Sequence, residues 1–153
     1  MANWFKLEKT HLLKYQAGGY VTAFETAALL AGQPNPIEDA IRSTTLKIRG
    51  AIKSGKYAVD RDKSKIPCEL EDDALALVVN TCKVRLNDPM TEDERTNSHD
   101  AKALLNRIAD GHYDVSTPDD PEPAAATTQT SGGAKLVRPG KRTPSRKTYN
   151  GLF

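Results

Sequence analysis

The sequence predicts an all-α fold: a small helical domain of about four to five helices, followed by a long, extended or flexible C-terminal arm. Three observations carry this. Apolar residues recur at three- and four-residue spacing through residues 10–115, start and stop residues punctuate those stretches, and from Ser116 onward the composition turns to Pro, Ala, Thr, Gly and Ser. Residues 1–9 then form an N-terminal lead, 10–115 the helical domain and 116–153 the arm.

The first helix begins near Thr10, carries Leu12 and Leu13, and runs into Gly18-Gly19, which can adopt the left-handed conformation that ends a helix. A second helix is marked by Thr22 and Glu25, three residues apart, so that hydroxyl and carboxylate satisfy each other's unbonded backbone amides. Phe24, Ala27, Ala28, Leu30 and Ala31 give it an apolar side, and Gly32 stands where it should stop.

Asn35-Pro36 opens the third helix, because Asn accepts from exposed amides and proline has no amide to leave unbonded in the first turn. Ile37, Ile41, Ile48 and Ile52 form its stripe, with Arg42, Lys47, Arg49 and Lys53 mainly elsewhere on the cylinder and an end near Gly55. Lys56 to Pro67 suits a connecting loop better than a strand.

Beyond Pro67, Leu70, Ala74, Leu75, Leu77, Val78, Val79 and Cys82 are so dense that the fourth helix should be central and buried on more than one side. Its acidic start (Glu69, Glu71, Asp72, Asp73) and basic end (Lys83, Arg85) complement the helix dipole. Cys68 and Cys82 read as members of this one helix, separated by about 21 Å at roughly 1.5 Å per residue, too far for a disulfide. Asn87-Asp88-Pro89 breaks the helix. Thr91 with Glu94 caps a fifth one, whose stripe is Ala101, Leu104, Leu105 and Ile108 and whose end is Gly111, before a short extended exit over His112–Val115.

At 153 residues, 38% hydrophobic and with a net charge of +2, the chain fits one domain and is not a general polyanion binder. It contains no apolar run long enough to cross a bilayer and no signal-peptide pattern, so assembly in the cytoplasm without a membrane partner is expected. Phosphate loop, dinucleotide fingerprint and HExxH are absent. His11, His99 and His112 sit near helix ends or in linkers, and the acids at 69–73 and 92–94 point in different directions around their helices. The sequence therefore predicts no enzyme, no cofactor and no metal site.

The arm holds the one concentrated charge. Lys135, Arg138, Lys141, Arg142, Arg146 and Lys147 have no acid among them, and Pro139 and Pro144 favour an extended course. Such a stretch suits contact with DNA or an acidic protein surface. Tyr149, Leu152 and Phe153 make an apolar tip that reads as an anchor for a partner.

Asp39-Ala40-Ile41 through Ile48-Arg49-Gly50-Ala51-Ile52-Lys53-Ser54-Gly55-Lys56-Tyr57, then Ile66-Pro67, then Ala103-Leu104-Leu105-Asn106-Arg107-Ile108-Ala109-Asp110-Gly111 occur in an order that resembles the small helical head-to-tail adaptor (connector, head completion) proteins of tailed bacteriophages. The likeness covers roughly Thr10 to Val115; the lead and the long arm depart from it. It implies a ring of neighbouring copies, a dodecamer, beneath the phage portal protein in the head-tail neck of the virion. Such a ring extends the channel for packaged double-stranded DNA and meets a tail or stopper protein. The alternative from the residues is a small DNA-binding regulator that uses the basic arm. A helix-turn-helix is superficially allowed around Gly32 to Asn35, but the third helix lacks base-reading side chains on its first turn.

Overall fold

The computed structural model describes residues 3–26, 32–33 and 35–123, and among these the fold is mostly helical, as the periodicity requires. The order is β1 (Trp4–Lys6), α1 (Lys9–Tyr15), α2 (Gly18–Thr26), α3 (Pro36–Ser54), β2 (Lys65–Pro67), a 3₁₀ turn (Cys68–Leu70), α4 (Glu71–Leu86) and α5 (Glu92–Ala109). Helices α3, α4 and α5 pack on one another, with α1 against α4 and α2 against α3.

The long helices start where their caps say. The Asn35 side chain accepts from the Ile37 amide at 3.0 Å, and Thr91 and Glu94 form the reciprocal cap of α5. Helix α4 buries every residue from Ala74 to Val79, and Asn87 ends it in the left-handed conformation with φ 53°. At the end of α3 a side chain on Gly55 would come within 2.2 Å of the Ile108 carbonyl oxygen, so glycine there lets α3 and α5 meet. Gly111 takes φ 75° and turns the chain out of α5.

Several readings need correction. Helix α2 starts at Gly18, not Thr22: the Thr22 hydroxyl donates to the Gly18 carbonyl at 3.0 Å, and Glu25 pairs with Lys9 instead of capping. The two glycines consequently open α2, and α1 ends through an extended Gln16. Cys68 lies in the 3₁₀ turn, outside α4, so the cysteines do not share a helix; they form no disulfide.

The lead belongs to the domain. Trp4 and Leu7 are buried, and β1 pairs antiparallel with β2, placing Trp4 opposite Pro67, Phe5 opposite Ile66 and Lys6 opposite Lys65. The end of the stretch read as loop is therefore a strand. The arm boundary at Ser116 moves as well, because residues 116–122 also lie on the domain.

Candidate functional site

The cations Lys135, Arg138, Lys141, Arg142, Arg146 and Lys147 and the anchor residues Tyr149, Leu152 and Phe153 lie outside the described residues. The segment leading to them is described. The Trp4 indole Nε1 donates to the Ser116 carbonyl at 2.9 Å, and the Ser116 amide and hydroxyl both donate to the Glu69 carboxylate at 2.7 Å. Further on, the Arg61 amide donates to the Asp120 carbonyl at 2.8 Å and the Glu122 amide to the Val59 carbonyl at 2.7 Å. The Glu122 carboxylate meets Lys53 at 2.8 Å, and that ammonium holds its carboxyl below the usual range. Backbone bonds at Asp120 and Glu122, together with the Glu122 carboxylate on Lys53, thus hold this segment beside the C-terminal end of α3.

Charge divides at this root. The six arm cations are unaccompanied by acid, so with a total of +2 the residues before them carry −4. A basic stretch of sequence follows one that is acidic on balance.

Arg49 is buried, although the sequence places it mainly off the apolar stripe of α3. Its guanidinium donates to the carbonyls of Asp60 at 2.6 Å and of Asp62 and Lys65 at 2.9 Å, and lies 5.9 Å from the centroid of the Trp4 ring. One side chain therefore organises the α3–β2 connection. Its position beside Thr45 and Ile52 at helical spacing is the signal that could have placed it inward.

Lys83 is buried too. Its ammonium donates to Glu94 at 2.7 Å, approaches Asp88 at 3.9 Å and lies 5.4 Å from the Tyr20 ring centroid. Burial pushes the Glu94 carboxyl up, but the Lys83 and Thr91 donors outweigh it and hold the group below its ordinary 4.5. A lowered carboxyl contributes stability above the unfolded value, and that contribution is lost as pH falls through the folded one. Lys83→Met should cost about 2 kcal/mol near neutral pH by leaving Glu94 uncompensated, and the deficit should shrink below about pH 4, as read by urea unfolding at both.

Among the described residues the histidines, Asp73 and Cys82 belong to no common cluster. His11 completes the α1 cap with Glu8 and stands 5.1 Å from the Phe5 ring; His99 is exposed beside Asp100; His112 is exposed. Burial, then Asp72 and Asp100, push the Asp73 carboxyl up, and burial pushes the Cys82 thiol up to about 11. Among the described residues no group of His, Cys, Asp and Glu could hold a metal ion, and no helix is long and apolar enough to cross a membrane.

The outer side of α3 bears a groove of about 400 Å³ facing β1 and the α3–β2 connection. Its base is Leu7, Ile41 and Thr45, and Lys6, Arg42 and Lys63 stand along it. Leu46, 58% exposed, separates it from a second depression that also takes in Asp39, Ser43 and Lys47. These residues come from three stretches that the sequence alone did not connect. Compared with known proteins, the chain matches no family model, no curated protein and no solved structure.

Proposed function

We propose that the chain is a non-catalytic head-to-tail adaptor of a tailed-phage virion. Copies of it form a ring beneath the portal protein in the neck, extend the DNA channel and offer a docking surface to the tail or stopper. The observation that carries this reading is the separation of charge: residues 1–134 carry −4, with Asp119, Asp120 and Glu122 at the root of the arm supplying three of those charges, and the terminal segment carries +6 with an apolar tip. A ring needs head-to-tail contacts between unlike surfaces, and a body and arm of opposite sign supply them. In this reading Tyr149, Leu152 and Phe153 anchor the arm on a neighbour or on the portal. Lys135, Arg138, Lys141, Arg142, Arg146 and Lys147 meet acidic protein surface or channel DNA.

Light scattering and electron microscopy of the full chain, alone and mixed with a candidate portal protein, test this. Rings, or monomers that become rings on the portal, are expected, and removal of Tyr149–Phe153 should abolish them. A monomer that ignores the portal but binds duplex DNA with steep salt dependence would replace the adaptor by the second reading, a DNA-binding regulator, which the same six cations favour.

A further inference from the structure

We propose that the groove between α3 and the β1–β2 side of the domain docks an acidic segment of a partner protein, with an aliphatic or aromatic side chain of that segment seated against Leu7, Ile41 and Leu46. The groove is where local and overall charge disagree. Residues 1–134 carry −4, three of it from Asp119, Asp120 and Glu122, yet Lys6, Arg42 and Lys63 line one depression, and Lys47 stands in the next. Among the described residues, Arg42, Lys47 and Lys63 form no ion pair, and Lys6 meets Glu8 at 3.6 Å with both side chains more than half exposed. The acids at the margins are engaged elsewhere: Asp39 pairs with Arg85, and Asp62 accepts from the Ser64 amide and hydroxyl.

Exposed cations, of which Lys6 alone makes an ion pair among the described residues while Glu122 acts on Lys63 at longer range, suit beside an exposed leucine a ligand that is both acidic and apolar. From Asp39 to Lys47 the α3 face runs about 12 Å at roughly 1.5 Å per residue, the reach of about four extended residues. Screening confines each cation's influence to roughly 8–10 Å at physiological salt, so a short segment senses the groove and not the acidic body. A nucleic acid strand is less suited, because among the described residues no aromatic ring lines the groove for base stacking. The docking site does not depend on the adaptor reading.

The test uses the full chain and a fluorescein-labelled synthetic peptide, Glu-Asp-Leu-Glu-Phe-Asp, read by anisotropy at about 0.15 M salt. Its controls are the counterpart with lysine for every acid and a hexamer of single-stranded DNA. The acidic peptide is expected to bind and the lysine counterpart not to. Reversing two exposed cations together, Arg42→Glu with Lys63→Glu, should weaken binding by about tenfold or more, and Leu46→Asp should do the same. Lys14→Glu, on α1 outside the groove, should change it by less than about twofold. Circular dichroism verifies that each variant folds. Failure of the acidic peptide to bind overturns the proposal. Binding untouched by the double reversal overturns it too, and places the peptide on the arm's cations. Tighter binding of the DNA hexamer, lost in the double reversal, would make the groove a nucleic-acid site. Self-association in sedimentation that the double reversal abolishes would make it a contact between copies.

Discussion

Replacing Arg49 with methionine is expected to destabilise the domain by about 3–5 kcal/mol, a large part of the 5–15 kcal/mol available to a small protein. The size follows from what the guanidinium leaves behind. The carbonyls of Asp60, Asp62 and Lys65 all accept from it, and Arg49 itself is 5% exposed, so its loss strips three acceptors at once, the Asp60 carbonyl in a buried bond and the other two in part-buried ones. Methionine keeps much of the volume and none of the donors. Arg49→Lys should recover less than half of the loss, because a single ammonium cannot reproduce a planar fork reaching three carbonyls. Urea midpoints of the three proteins check this. A midpoint unchanged in Arg49→Met would mean that solvent satisfies those carbonyls and that the connection from α3 to β2 holds itself.

The Arg49 result bears on why parts of this fold are legible in the sequence and others are not. Helices α3 and α5 announce themselves locally: Asn35, Thr91 and Glu94 act on amides within three residues, and the Ile37-to-Ile52 stripe repeats on one face. The same local logic misplaced the start of α2, because the Thr22–Glu25 spacing fits a cap equally well as an interior turn, and Lys9 from another helix takes the glutamate. Strands β1 and β2 have three residues each and about sixty residues between them, so neither contains a period to read. Arg49 looks solvent-facing until the carbonyls that need it are brought over it by the chain beyond α3.

For the site the division is similar. Charge and apolarity of the arm are visible as composition, whereas the groove is assembled from Lys6, Arg42 and Lys63, which share no motif. The root of the arm was missed for a further reason. Ser116, Asp120 and Glu122 are held mostly by backbone groups and by Glu69 and Lys53, partners that composition does not identify.

Trp4→Ala should produce the other large loss, about 3–5 kcal/mol, from removing a buried aromatic side chain and leaving a cavity that its surroundings fill only in part. Trp4 is 2% exposed, pairs opposite Pro67 through its backbone, stands by the Arg49 guanidinium and donates to Ser116. It therefore joins the lead, the α3–β2 connection and the root of the arm. Trp4→Phe keeps the ring and removes the donor, and should cost about 1–2 kcal/mol including the lost ring area. Because Trp4 and Arg49 support the same connection, the double variant should lose less than the sum of the single losses by at least about 0.5 kcal/mol, whereas independent sites would add. Trp4 is the single tryptophan of the chain, so its fluorescence reports the same junction without mutation. Ending the chain after Val115 should shift that emission to the red, since Ser116 would no longer cover the indole. An unshifted spectrum would mean that the residues beyond Val115 rest on the domain without closing it, and that Trp4 is held by the core alone.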